Sequence, residues 1–266
     1  MVTILCAWDP DLSVLIGCAA LLVAYWAVHR SNLSRAGWFV GGTGVMLFAL
    51  ISPIDTLGDE YLFSVHMIQH LLLVLVVPPL LLAGITPAFA SRVIECRPLG
   101  EIERRLRKPV IAWLIGIVTL TLWHAPVLFD AALNNEYIHI LEHLSFLASA
   151  TIFWWPVLGP LPQLRLAPLL TLLYLVGAAI ANSLLGIWLT FAPAGLYTPY
   201  LHPEDSLGIL KLLRSGWGLT PAVDQELGGL FMWVGGSFVF LAVMVAVLLR
   251  WFGFSEMNAS SSAASF

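Results

Sequence analysis

Charged residues are scarce in this sequence, at 11% of 266 residues. Hydrophobic residues make up 59%, and the mean hydropathy is +0.90. A soluble domain of this length needs more charge to cover its surface, so the composition excludes that class and indicates an integral membrane protein. Nothing in the sequence indicates that it binds nucleic acid.

Cysteine is also scarce, and the common catalytic motifs are absent. The three cysteines, Cys6, Cys18 and Cys96, form no C-x-x-C pair, which excludes a thioredoxin-like motif and a dense thiolate site. There is no G-x-S-x-G elbow, H-E-x-x-H motif, P-loop or dinucleotide fingerprint. Met67 and Ile140 stand where an intramembrane zinc protease would need its glutamate base. We therefore expect no enzymatic activity.

Seven apolar stretches are candidate membrane spans, since a helix needs about 20 apolar residues to cross ~30 Å of hydrocarbon. They are residues 12–28, 37–51, 64–83, 110–123, 138–158, 166–191 and 228–252. No basic residue precedes the first stretch, so we expect it to be retained and not cleaved as a signal peptide. The sequence predicts an all-α bundle of seven transmembrane helices in residues 1–257 and a disordered tail in residues 258–266.

The basic residues predict how this bundle is oriented. Ten of the twelve Lys and Arg residues follow the first, third, fifth and seventh stretches. Only Lys211 and Arg214 stand on the other side, among acidic residues. Because Lys and Arg accumulate in loops that stay in the cytoplasm, we expect the amino terminus outside and the carboxyl terminus inside.

Histidines are present in a repeated pattern within these apolar stretches. His66 and His70 stand four residues apart in the third stretch, and His139 and His143 repeat that spacing in the fifth. Such pairs share one helix face, with Cβ atoms ~5–6 Å apart. With His124 at the outer end of the fourth stretch, five of the seven histidines lie at one depth near the outer interface. Ionisable residues within a span are costly, so this cluster is a candidate functional site.

The ligand chemistry of the cluster is that of a metal site. Neutral imidazole binds copper, zinc and iron, and thioethers from Met67 or Met232 would favour Cu(I) over zinc. Gln69 and Glu142 each follow the first histidine of a pair by three residues and could orient the imidazoles. Haem, held axially by histidines on two facing helices, is the alternative ligand.

Helix-start signals place both pairs inside formed helices. Thr56 to Asp59 fits a capping box ahead of the third stretch, and Asn134 or Asn135 can cap the fifth. Thr220, followed by proline, starts a helix that continues into the seventh stretch.

The last helix carries further candidates for the site. Asp224 and Gln225 lie in its outer turns, and Met232 lies about two turns further in. The preceding segment, residues 193–225, contains apolar residues that could cover the histidines as a lid or lie along the membrane surface.

Several longer segments resemble one known family. They are S-P-I-D-T-L-G-D-E-Y-L-F-S-V-H-M-I-Q-H-L-L-L from Ser52, W-H-A-P from Trp123, A-L-N-N-E-Y-I-H-I-L-E-H-L-S-F from Ala132, F-W-W-P-V-L-G-P from Phe153 and D-Q-E-L-G-G-L-F-M-W from Asp224. Together they resemble the CtaG family of assembly factors for caa-type cytochrome c oxidase. This polytopic family is distinct from the single-span copper chaperone of the same name.

The resemblance implies a multi-pass protein of the bacterial plasma membrane that is needed to mature a haem–copper oxidase of the respiratory chain. Its role would be to handle copper at the outer face through His66, His70, His124, His139 and His143. The implied partners are an oxidase subunit, a periplasmic copper donor and membrane lipid. Two other functions stay open: a single-haem protein serving oxidase assembly or quinol chemistry, and a metal-free assembly scaffold.

Overall fold

In the computed structural model the backbone is described for residues 6–28 and 33–263, with side chains for residues 6–28 and 35–253. The described chain is 82% helical and contains no strand. The predicted all-α class is confirmed.

The first three helices lead to the histidine helix. They are α1 (Leu12–Val28), α2 (Leu33–Ile51) and α3 (Pro53–Glu60). The axes of α2 and α3 differ by 43° because Ser52 and Pro53 start a new helix between them. The Ser52 hydroxyl accepts a hydrogen bond from the Ile54 N–H (3.2 Å), and proline is favoured in the first turn that follows such a cap.

Helix α4 (Phe63–Gly84) carries the first histidine pair in its opening turns. It widens into a π-helical turn at Leu72–Val76 and then continues as Val77–Gly84. The wide turn shifts the backbone bonding pattern, and the Trp154 indole N–H donates to the Val74 carbonyl (3.0 Å). In an apolar bundle no water is available to the Val74 carbonyl, so this bond supplies its hydrogen-bond donor.

Five helices follow, and proline stands in the first turn of four of them. They are α5 (Pro87–Glu95), α6 (Arg97–Leu106), α7 (Pro109–Trp123), α8 (Pro126–Leu133) and α9 (Glu136–Leu158). Helix α9 carries the second histidine pair. Of the two predicted caps, Asn134 and Asn135, it is Asn135 that caps this helix, accepting from the Tyr137 (3.0 Å) and Ile138 (3.2 Å) N–H groups.

Two long helices complete the bundle. Helix α10 spans Pro168–Phe191. Helix α11 starts as Pro221–Leu230, passes through a π-helical turn at Phe231–Gly235 and continues as Gly236–Ala263. Its Met232 carbonyl accepts a hydrogen bond from the Asn182 amide (2.6 Å). The backbone of α11 enters the segment for which the sequence predicts disorder. Residues 264–266 lie outside the described residues, so the division into a bundle and a tail stays a prediction.

Helix length and composition support a membrane protein without confirming the predicted number of spans. Three helices within the described residues are long and apolar enough to cross a membrane: Phe63–Gly84, Pro168–Phe191 and Pro221–Gly253. The number rises to five if α2 with α3, and α6 with α7, each form one bent span. The seven spans and the orientation of the termini stay predictions.

Helix α4 lies in the middle of the bundle, in contact with α2, α9 and α11. Its first half packs into an aromatic cluster that includes Phe63, Phe129, Phe146 and Tyr197. This packing buries the helix face that carries His66 and His70.

One cap prediction is wrong. Thr56 and Asp59 belong to α3, where the Thr56 hydroxyl donates to the Ala7 carbonyl (3.1 Å), and they do not start α4. The start of α4 is capped by the carboxylate of Asp224, which belongs to α11 and accepts from the N–H groups of Phe63 (2.8 Å) and Ser64 (3.1 Å). A residue about 160 positions away in the chain replaces the local capping box.

Candidate metal centre

The two histidine pairs meet between α4 and α9. Ring centroids are 4.2 Å apart within the pair His66 and His70, and 4.2 Å apart within the pair His139 and His143. Across the interface, the His66 and His139 centroids are 5.6 Å apart, and the His70 and His143 centroids are 5.8 Å apart. Residue spacing predicts each pair, and the packing of α4 against α9 brings the two pairs together.

The fifth histidine of the predicted set lies beside the same group. The ring of His124, at the end of α7, has its centroid 5.6 Å from that of His70. Its Nδ1 donates to the Leu120 carbonyl (2.7 Å), so the neutral ring has its lone pair on Nε2. That Nε2 lies 3.3 Å from Sδ of Met67, an atom that has no hydrogen to donate. We call the five side chains, His66, His70, His124, His139 and His143, the histidine cluster.

Five of the cluster's ten ring nitrogens are buried without a hydrogen-bond partner in the described chain. His66, His70 and His124 are fully buried, while His139 and His143 are half-buried. The ring nitrogens that lack a hydrogen-bond partner within the described chain are His66 Nε2, His70 Nδ1, His70 Nε2, His139 Nε2 and His143 Nε2. Buried polar atoms are ordinarily paired, so five unpaired nitrogens in one place fit a ligand-binding site.

A carboxylate that sequence analysis did not select orients two of these rings. Asp59, near the end of α3, lies between the two pairs: its Oδ1 is 3.0 Å from His66 Nδ1, and its Oδ2 is 3.4 Å from His139 Nδ1. A carboxylate accepts, so the hydrogen bond from His66 places the hydrogen on its Nδ1 and leaves on its Nε2 the lone pair that a metal needs. Asp59 precedes His66 by only seven residues in the D-E-Y-L-F-S-V-H segment, which is the signal that could have found it.

Two sets of three ligand atoms could each hold an ion. One set comes from His66, His139 and His143, and the other from His66, His70 and Glu142. Within each set the ligand atoms lie within 4.8 Å of one another. His66 belongs to both.

The polar candidates beside the histidines have different roles. Glu142 is fully buried, has both carboxylate oxygens unpaired within the described residues, and has Oε1 3.7 Å from His70 Nε2. Within the described residues no hydrogen bond joins Gln69 to an imidazole: its amide donates to the Ala49 carbonyl (3.0 Å) and to Asp55 (2.6 Å). Met232 is buried and lines a small cavity of about 20 Å³ together with His70.

The remaining two candidates hold backbone segments. Asp224 caps α4, as described above, and belongs to neither set of ligand atoms. Gln225 accepts from the N–H groups of Gly195 (3.1 Å) and Leu196 (3.0 Å), and its amide donates to the Ala192 carbonyl (3.0 Å). It anchors the start of the segment 193–225 to α11.

Hydrogen bonds from two tyrosines fix that segment beside the cluster. The Tyr197 hydroxyl donates to the His124 carbonyl (2.8 Å), and the Tyr200 hydroxyl donates to the Gly58 carbonyl (2.7 Å). Burial raises the pKa of both phenols, so both remain donors at physiological pH. Gly58 itself permits a close approach, since a Cβ there would lie 3.0 Å from Cα of His66.

The contacts of Asp59 with the rings of His66 and His139 lead to a prediction. Asp59→Asn would replace one acceptor oxygen by an NH2 group, which cannot accept from an imidazole N–H. We expect any metal bound by the cluster to be held about 10–100-fold more weakly, with unchanged stoichiometry. Titration with a competing chelator measures this. The control is Glu60→Gln, which removes the charge of an exposed carboxylate at the next position. Equal affinities for the two variants would contradict a positioning role for Asp59.

The helices and the cluster define a class: a helical membrane protein with a buried, histidine-rich candidate metal site. Residues 19–253 match the family described as the cytochrome c oxidase caa3 assembly factor (Caa3_CtaG). The chain belongs to this family.

Curated relatives lie in mycobacteria and carry no functional description. The chain is 24% identical to an uncharacterized protein of Mycobacterium leprae, over 89% of this chain and 38% of that protein. It is also 24% identical to an uncharacterized protein of Mycobacterium tuberculosis, over 93% of this chain and 40% of that protein. The chain thus spans about two fifths of the length of these relatives. No solved structure matches it.

Proposed function

We propose that this protein binds copper, as Cu(I), at the histidine cluster and delivers it to a haem–copper cytochrome c oxidase during assembly. The observation that supports this best is the group of five buried, unpaired imidazole nitrogens between α4 and α9. Family membership supports an assembly role, which is non-catalytic, and an oxidase subunit as the partner. A periplasmic copper donor and a bacterial plasma membrane location belong to the same proposal.

The donor set favours copper. Most of the candidate ligand atoms are imidazole nitrogens of the histidine cluster, and imidazole is a good ligand for copper and zinc alike. The thioether of Met67 faces His124 Nε2 at 3.3 Å, and such a soft sulfur prefers Cu(I) to zinc. Two lone pairs that face each other repel, and a soft cation between or beside them would remove that repulsion.

Burial supports a direction for exchange. The side chain of His139 is 16% exposed, whereas that of His66 is 0% exposed. An ion would therefore arrive at and leave from the α9 pair and be retained by the α4 pair. A carrier needs this combination of a reachable ligand and a buried one, because cargo must be both held and released.

Close packing weighs against haem, the alternative cofactor. Two axial histidines must face each other across a porphyrin, which needs an open slot between the helices that carry them. The cavity beside His70 holds about 20 Å³, which is room for a water molecule. The side chains would have to separate widely to admit a macrocycle.

The test is the metal content of the purified protein after loading with Cu(I) under reducing conditions. We expect bound copper and no haem Soret band. A variant with His66, His70, His139 and His143 changed to Ala should bind none while keeping its helical circular dichroism. A Soret band would favour haem. A colourless protein that takes up no copper, and whose four-histidine variant still matures oxidase, would leave only a metal-free scaffold.

The two tyrosine bonds predict that the segment 193–225 limits the rate of copper release. In the variant carrying both Tyr197→Phe and Tyr200→Phe, the carbonyls of His124 and Gly58 lose their donors, at a cost of about 1 kcal/mol each. The two losses amount to about 2 kcal/mol, so we expect transfer to a chelator to become about thirtyfold faster, measured by stopped-flow absorbance. Tyr137→Phe, which changes an 81% exposed side chain, is the control. Unchanged rates would contradict the lid.

A further inference from the structure

A pocket lined by arginines lies at the end of the bundle opposite the histidine cluster. It has a volume of about 470 Å³ and opens beside Pro79, near the end of α4, whereas the histidines lie in the first turns of that helix. Three guanidinium groups line it, those of Arg35, Arg165 and Arg250. We call it the arginine pocket.

These three side chains come from separate parts of the chain. Arg35 lies in the first turn of α2, Arg165 between α9 and α10, and Arg250 in α11. Backbone carbonyls hold two of them in place. Arg35 donates to the carbonyls of Ala83 (3.2 Å) and Ile85 (3.0 Å), and Arg165 donates from Nε to a carbonyl of the preceding loop (2.7 Å). The bonds orient the guanidinium groups but leave their charge uncompensated.

Acidic partners are present elsewhere but not in this pocket. Arg97 pairs with Glu101 (3.5 Å) on α6, whereas no described carboxylate lies within ion-pair distance of any of the pocket's three arginines. Burial, and then the charges of the other two pocket arginines, lower the pKa of Arg165. Like charges held together in a partly buried place repel each other, and a bound anion would relieve that repulsion.

The walls of the pocket fit a site at the level of lipid headgroups. Trp38, which is 55% exposed, and Leu158 lie beside the arginines. Tryptophan is enriched where hydrocarbon meets water, and basic residues accumulate on the cytoplasmic side of that boundary. The pocket therefore offers positive charge together with an apolar wall.

We propose that the arginine pocket binds the phosphate headgroup of an anionic phospholipid, with the lipid's acyl chains against the apolar wall. Planar guanidinium groups match phosphate oxygens in paired hydrogen bonds, and basic pockets between helices suit such headgroups. A site for this lipid would anchor α2, α9 and α11 to one another at the inner surface. This proposal is independent of copper binding.

The test uses the full-length protein, delipidated in detergent and examined by native mass spectrometry with added lipid. We expect the protein to retain phosphatidylglycerol and not phosphatidylcholine with the same acyl chains. Arg250→Gln should lower the bound fraction of phosphatidylglycerol about tenfold. This residue is chosen because no hydrogen bond from its side chain to the described protein would be lost. Arg104→Gln, on the exposed side of α6, is the matched control.

Three results would overturn the proposal. One is equal retention of the two lipids, and another is equal retention by Arg250→Gln and Arg104→Gln. The third is binding of inorganic phosphate alone that displaces phosphatidylglycerol and is lost in Arg250→Gln, which would make this a site for free phosphate. The melting temperature of each variant without added lipid confirms that a loss of binding is not a loss of fold.

Discussion

His66→Ala is expected to abolish copper binding, whereas His70→Ala and His139→Ala are each expected to retain it. This result is expected because His66 is the one residue shared by both sets of ligand atoms. Without His70, the set of His66, His139 and His143 remains, and without His139, the set of His66, His70 and Glu142 remains. We expect the two permissive variants to bind about tenfold more weakly than the unchanged protein.

The measurement is competition with a coloured Cu(I) chelator in detergent, with melting of the metal-free protein as a check on folding. His202→Ala, which changes an exposed histidine outside the cluster, is the matched control and should bind copper normally. If His66→Ala bound copper as well as His202→Ala does, the cluster would not be the site.

Asp224→Ala is expected to destabilise the protein by about 3 kcal/mol and to weaken copper binding, although Asp224 touches no histidine ring. Its fully buried carboxylate accepts from the N–H groups of Phe63 and Ser64 and from the Ser64 hydroxyl. Removing a charged acceptor leaves these donors unpaired in a place that water does not reach. The first turn of α4 should fray, and that turn precedes His66 directly.

Thermal unfolding in detergent measures the first effect, and chelator competition measures the second. Glu226→Ala removes an exposed carboxylate from the same helix and should change neither. Asp224→Asn keeps one acceptor oxygen and should fall between the two. If Asp224→Ala and Glu226→Ala had the same melting temperature, the cap would be unimportant for stability.

Sequence pattern was sufficient to predict the helices that carry the site. An i, i+4 pair lies on one helix face whatever the tertiary fold, so residue spacing alone groups His66 with His70, and His139 with His143. The Asn135 cap was predictable for the same reason, since the group it binds lies two to three residues away. Local chemistry of this kind does not depend on which helices are neighbours.

Sequence pattern did not reveal contacts whose partner is distant in the chain or lies across a bend. Asp59 looked like part of a capping box, but the turn at Ser52 and Pro53 places it on a separate helix that faces both histidine pairs. Asp224 looked like a candidate near the metal, but α11 brings it to the start of α4. Gln69, chosen for its spacing from His66, points to α2 and α3 instead.

Hydropathy and residue spacing were enough to predict a helical membrane protein with two histidine pairs, each on one helix face. The reason is that hydropathy and helical periodicity are local properties of the chain. Helix packing, in contrast, brings the two pairs together between α4 and α9, places Asp59 between them and gathers three arginines in a pocket at the far end. These contacts depend on how buried side chains fill space between helices, and residue spacing carries no record of that packing.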